Sequence, residues 1–171
     1  MLTFISGFMG SGKSHFLFSW EGDFEGPSYD FDKEICLRLG ISDENLGAWI
    51  DKEGWPAFRA QERQLLIETL EKGVGLYSLG GGTLHSCADL CSRMDKIANR
   101  VWINTSWETC WGRVKGDSNR PLVKKGEQAF QQLYLEREAL YTTAKVAISG
   151  ETSPPNWEEF CNKYRDNLIL D

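Results

Sequence analysis

Little in this sequence speaks for export, membrane insertion or covalent bracing. No apolar run approaches the roughly 18 to 20 residues of a membrane span. The opening Met-Leu-Thr-Phe-Ile-Ser has neither a basic n-region nor a long apolar h-region. The expectation is an unexported, cytoplasmic protein. The cysteines, five in number (Cys36, Cys87, Cys91, Cys110 and Cys161), form no C-x-x-C pair and leave one over in any pairing, so neither a disulfide framework nor a zinc site is indicated. Cys87 and Cys91 share a helical face, but two soft ligands do not close a metal site. Positive charge is in deficit, 19 Lys and Arg against 25 Asp and Glu for a net charge of -6, which argues against a protein that coats nucleic acid nonspecifically. Repeats, low-complexity tracts and Pro/Gly-rich linkers are absent from the 171 residues, so one domain spanning 1–171 is expected. A hydrophobic content of 41% with 26% charged residues is enough to bury a core.

What is present is an alternation of short apolar runs with longer helical patterns. Residues 2–6 form an apolar run that ends in a glycine loop, and the apolar Phe16, Leu17, Phe18 and Trp20 follow, reading as strand, loop, helix. A second short strand over 28–31 runs into a helix over about 33–39, closed by Gly40. Another helix is expected from Ser42, and one from Phe58 to Lys72 with Gly73 as its stop. Runs over 74–79, 100–104 and 145–149 read as further strands, Thr105-Ser106 as the cap of a helix through Val114, and Phe130, Leu133, Tyr134 and Tyr141 as the stripe of another. Pro154-Pro155 would open a last helix. Strands alternating with helices imply an α/β protein, its parallel sheet wound on both faces.

The glycine loop matches G-x-x-x-x-G-K-[ST] at Gly7, Gly12, Lys13 and Ser14, a pattern expected by chance in below about one per cent of chains of this length. Between a strand and a helix, such a loop turns backbone N–H groups around a polyphosphate, and the helix N-terminus adds its positive end. Lys13 would reach the β and γ phosphates and the Ser14 hydroxyl would ligate Mg²⁺. No Asn-Lys-x-Asp guanine signature occurs, so ATP is expected.

Four further segments carry a resemblance: Asp30-Phe31-Asp32, Phe58-Arg59-Ala60-Gln61-Glu62, Gly80-Gly81-Gly82, and Arg120-Pro121-Leu122 with Arg137 in Glu136-Arg137-Glu138-Ala139-Leu140-Tyr141. In this order and spacing, with the phosphate loop, they make the chain similar to the shikimate kinase family of nucleoside-monophosphate-kinase-like folds. Singly they read otherwise: Asp-x-Asp as a solvated turn, Arg59, Arg113 and Arg137 as surface charge, the glycines as a loop. The resemblance implies a three-layer α/β/α fold with substrate-binding helices and a mobile lid over about 115–126. It implies ATP-dependent phosphorylation of the 3-hydroxyl of shikimate by a monomer that needs no nucleic acid or membrane.

The residue roles are those the family implies. Gly10, Ser11, Gly12, Lys13, Ser14, His15, Arg113 and Arg120 bind ATP. Ser14, and Asp30 through water, hold Mg²⁺. Asp32 meets the reacting hydroxyl, as a carboxylate near Mg²⁺ suits the acceptance of an alcohol's proton. Arg59 and Arg137 take the acceptor's carboxylate as Arg forks do, Gly80, Gly81 and Gly82 give it bare backbone, and Arg120 folds over the phosphates as charge develops. The sequence departs from the family at His15, where Thr or Ser is usual, at Phe16-Leu17, and at Trp55, where Glu commonly follows Gly. The segment before Asp30 is about one residue shorter. His85 and the tryptophans read as packing or surface, with Trp49 and Trp55 near the acceptor pocket. A gluconate or nucleotide kinase, and a non-catalytic binding module of the same fold, remain as alternatives.

Overall fold

The computed structural model describes residues 1–117 and 120–170. Its centre is β1 (Leu2–Ser6), whose five residues are all buried. Phe4 and Ile5 both have 0% exposure although they point to opposite faces of the sheet, as a strand covered on both sides requires. On one face Phe4 joins Phe8, Phe31, Leu65, Tyr77 and Phe130. On the other Ile5 joins Phe16, Trp20, Leu76, Val101, Ile103, Trp157 and Phe160. Each fully buried side chain of this size contributes about 1.5 to 3 kcal/mol.

The strands β1, β2 (Ser28–Asp30), β3 (Gly75–Ser78), β4 (Asn99–Asn104) and β5 (Val146–Ser149) line up in the order β2-β3-β1-β4-β5. All four pairings are parallel, with Phe4 opposite Tyr77 on one side and Arg100 on the other. Helices cover both faces, giving the expected three-layer α/β/α architecture. The helix after the phosphate loop, α1 (Lys13–Trp20), carries Phe16, Leu17 and Trp20 into the second core, and the Trp20 indole N–H donates to Pro155 O at 2.8 Å. Phe16-Leu17 thus fills a core layer here.

Several element boundaries differ from the sequence expectation, for identifiable reasons. Ser42 opens a 3-10 turn, Asp43–Asn45, and its hydroxyl accepts from the Asn45 side chain; α3 (Leu46–Glu53) begins only afterwards. The helix expected from Phe58 starts at Trp55 as α4 (Trp55–Lys72), with Pro56 in its first turn, where its missing N–H is harmless. Two helices, α5 (Thr83–Ser86) and α6 (Ala88–Ile97), went unanticipated, and α6 buries only Met94. The others, α2 (Phe31–Leu39), α7 (Trp107–Val114), α8 (Glu127–Tyr141) and α9 (Trp157–Lys163), lie close to their expected places. Asn156 caps α9 in a capping box with Glu159, directly after the two prolines. No helix among the described residues is long and apolar enough to cross a membrane.

Candidate active site

Because β1, β2 and β3 are parallel neighbours, the segments leaving their carboxyl ends converge on one edge of the sheet, where open α/β sheets bind ligands. They are the phosphate loop, Asp30 with α2, and the triple glycine. A cavity of about 510 Å³ opens there.

The loop is held from behind. Gly10 has φ +79°, and a Cβ on it would stand 2.7 Å from Cys110 O, so only glycine fits. Arg113 donates from Nη1 to Gly10 O at 3.0 Å and from Nη2 to Gly150 O at 2.9 Å, and Thr105 Oγ1 donates to Ser11 O at 2.8 Å. Several loop carbonyls are thereby tied to the protein. In the first turn of α1, His15 N donates to Gly12 O at 2.9 Å, and the N–H groups of Lys13 and Ser14, with no carbonyl one turn back, remain for an anion. Lys13 Nζ donates to Phe8 O at 2.9 Å, and burial lowers its pKa against the opposing pull of Asp30 and Asp32.

Asp30 caps α2: its Oδ1 accepts from Asp32 N at 3.0 Å, while its Oδ2 accepts from Ser14 Oγ at 2.8 Å. One carboxylate therefore fixes the start of α2 and joins it to the phosphate loop. The Asp32 carboxyl is pushed up to about 7, first by desolvation, then by Asp30 and Glu62, with Lys13 and Arg120 opposing.

The end of the cavity beside α4 is built around Glu62, which is fully buried. It accepts from Thr83 Oγ1 at 2.5 Å and forms an ion pair with Arg59 Nη1. Arg59 also lies over the Trp55 ring, its Cζ 4.8 Å from the centroid, and 5.4 Å from that of Phe58. Gly80 and Gly82 are crowded by protein groups: added Cβ atoms would meet Glu62 Oε1 at 2.5 Å and Arg59 Nη2 at 2.5 Å.

The cavity walls include Gly10, Gly12, Lys13, Ser14, His15, Asp30, Asp32, Arg59, Gly80, Gly81, Arg113 and Arg120, so most of the residues expected from sequence come together. Ser11 is buried within the loop, and Gly82 and Arg137 sit behind the wall. Arg137, 6% exposed, donates from Nη1 to Gly81 O at 3.0 Å, and its buried Nε has no hydrogen-bond partner. Of the expected lid, Ser118 and Asn119 lie outside the described residues. Arg120 is exposed and pairs through Nε with Asp117 Oδ2 at 2.8 Å, and Pro121 and Leu122 close one side of the cavity. Lys124 spans from there to Asp51 on α3, Nζ to Oδ2 3.4 Å.

Sequence reasoning gave no role to Glu62, Thr83, Trp55 or Tyr141. The spacing of Trp55, Arg59 and Glu62, four and then three residues apart on one helix, is the signal that could have joined two of them to Arg59.

The shikimate kinase family model matches residues 9–168. Among curated relatives, the shikimate kinase of Aquifex aeolicus (strain VF5) is 30% identical over 90% of this chain and 89% of its own length. That of Pseudomonas syringae pv. tomato is 32% identical over 88% and 87%. The solved structure of the Aquifex aeolicus shikimate kinase superposes with a TM-score of 0.78 at 30% identity, covering 98% of this chain and 95% of that one. A shikimate kinase from Acinetobacter baumannii in complex with shikimate shares the fold at TM-score 0.78 and 24% identity, over 96% and 90%. With the phosphate loop, the paired aspartates and Arg59 in one cavity, and with matches over nearly its full length, the chain belongs to the shikimate kinase family.

Proposed function

We propose that this chain is an ATP-dependent kinase that transfers the terminal phosphoryl group to the 3-hydroxyl of shikimate, forming shikimate 3-phosphate for the pathway to chorismate and the aromatic amino acids. The observation that carries the reading is the shared cavity, in which Lys13, Asp32 and Arg59 all stand on the wall. One end suits a polyphosphate, the other a small anionic acceptor, and a carboxyl able to gain or lose a proton near neutral pH lines the same space.

Phosphoryl transfer needs positioning and charge stabilisation more than covalent help. The phosphate-loop N–H groups, with Gly10, Ser11, Gly12 and Ser14, cradle the phosphates; Lys13 follows the migrating charge; Arg113 and His15 border the nucleotide. Asp32 takes the proton of the attacking hydroxyl. Arg59 binds the acceptor carboxylate, its guanidinium set by Glu62 and Trp55, and Arg137, whose buried Nε has no partner, supplies the second cation. Arg120 leaves Asp117 for the phosphates on closure of the lid, and Gly80 and Gly81, on the cavity wall, supply backbone to the acceptor's hydroxyls. The Ser14 hydroxyl and the Asp30 carboxylate, 2.8 Å apart, are hard oxygen donors that fit Mg²⁺, Ser14 directly and Asp30 through water. Bound there, Mg²⁺ would screen the β- and γ-phosphate charge. The same reading makes the protein a cytoplasmic monomer with a small-molecule substrate and no nucleic-acid or membrane partner.

A coupled ADP-release assay across shikimate, quinate, gluconate and nucleoside monophosphates tests the reading. ADP release that depends on shikimate is the expected result. Release with gluconate or a nucleotide alone would identify a related kinase, and release with none of them a binding module.

A further inference from the structure

The Gly81 carbonyl carries two donors, Arg137 Nη1 at 3.0 Å and the Tyr141 hydroxyl at 2.5 Å. Both come from α8, four residues apart and hence from one helical face. Both side chains are buried, 6% and 3% exposed, and Arg137 is absent from the cavity wall. Its Nε is shut away without a partner, so the guanidinium is only partly satisfied where it stands. For Arg137 to turn its Nη1 edge toward a carboxylate in the cavity, it would release Gly81 O. A partly buried carbonyl stripped of its sole donor would resist that exchange more than one that keeps a second donor. The Tyr141 hydroxyl is placed to be that donor, and burial pushes its pKa up, so it keeps its proton at neutral pH.

We propose that Tyr141 is a positioning residue that holds the Gly81 carbonyl while Arg137 turns to the acceptor's carboxylate. The inference rests on the acceptor reading above. It also has a route to the phosphates: a Cβ on Gly81 would lie 3.1 Å from Met9 N, so this peptide packs against the phosphate loop. Holding it still keeps the two ends of the cavity in register while the acceptor binds.

Tyr141→Phe removes the hydroxyl and keeps the ring. The test measures KM and kcat for shikimate and for its uncharged methyl ester in wild type, Tyr141→Phe, Arg137→Ala and the double variant, with thermal unfolding of each. Tyr141→Phe is expected to raise KM for shikimate about tenfold with kcat within about twofold. KM for the ester should stay near wild type, and the substitution should add less than about twofold once Arg137 is Ala. An unchanged KM, equal losses for acid and ester, or an equal loss in the Arg137→Ala background overturns the proposal. So does a Tyr141→Phe protein that fails to fold, because the hydroxyl would then be structural. Wild type that turns over neither compound overturns the acceptor reading and this inference together; normal wild-type turnover with an unaffected Tyr141→Phe overturns this inference alone.

Discussion

Ser14 Oγ donates to Asp30 Oδ2 at 2.8 Å, tying the first turn of α1 to the N-cap of α2 across sixteen residues of sequence. The phosphate loop and the start of α2 are thereby set relative to each other by a carboxylate that also caps a helix. Asp30→Ala loses both bonds. Cap loss alone is worth about 1 kcal/mol, so the unliganded protein should unfold a few degrees earlier, and transfer should also need more Mg²⁺ for half-maximal rate. Unchanged metal dependence would remove Asp30 from the metal site.

Asp32 carries a cost to stability. Its carboxyl moves from the ordinary 3.8 to about 7 in the folded protein. Between these values the native state holds a proton that the unfolded chain has released, so stability falls as pH rises through that window. The interval corresponds to about 4 kcal/mol. Asp32→Asn keeps the size and loses the titration, so its Tm advantage over wild type, without ligands, should be larger at pH 8 than at pH 5. The same variant should bind shikimate and lose nearly all kcat. A Tm difference that does not vary with pH would contradict the raised pKa.

Arg120 pairs with Asp117 at the mouth of the cavity. In the proposed role it is needed only on closure, so Arg120→Ala should lower kcat about a hundredfold or more while shikimate KM stays within about threefold. A change confined to KM would assign Arg120 to the acceptor instead. Lys13→Ala, by contrast, should abolish transfer and leave shikimate binding without nucleotide intact.

The Trp55 ring lies under the Arg59 guanidinium. A partly desolvated cation–ring contact is worth about 1 to 2 kcal/mol. Trp55→Leu should therefore raise KM for shikimate about tenfold, whereas Trp55→Phe, which keeps a ring face, should stay close to wild type. Equal losses in both variants would point to packing against Phe58 instead of support of the guanidinium.

The parts legible from sequence are those made by local chemistry. The phosphate loop, the Asp-x-Asp at the end of β2 and the glycines after β3 each occupy a few consecutive residues, and a parallel sheet brings such strand ends together. Tertiary partnership was not legible. Arg137 reads as a surface charge on an amphipathic helix, yet it is buried because Gly81, far away in sequence, offers it a carbonyl. Glu62 lies one helical turn from Arg59, but its buried carboxylate is met by Thr83 from a helix with no apolar pattern to announce it. Ser42 failed as a helix start because its hydroxyl was engaged by Asn45 rather than by the backbone.

The most direct measurement is identification of the product formed from ATP and shikimate, by phosphorus–proton correlation in NMR. A single phosphomonoester coupled to the proton on carbon 3, formed in step with ADP, is the expected result. Inorganic phosphate alone, or an ester on another hydroxyl, would contradict it.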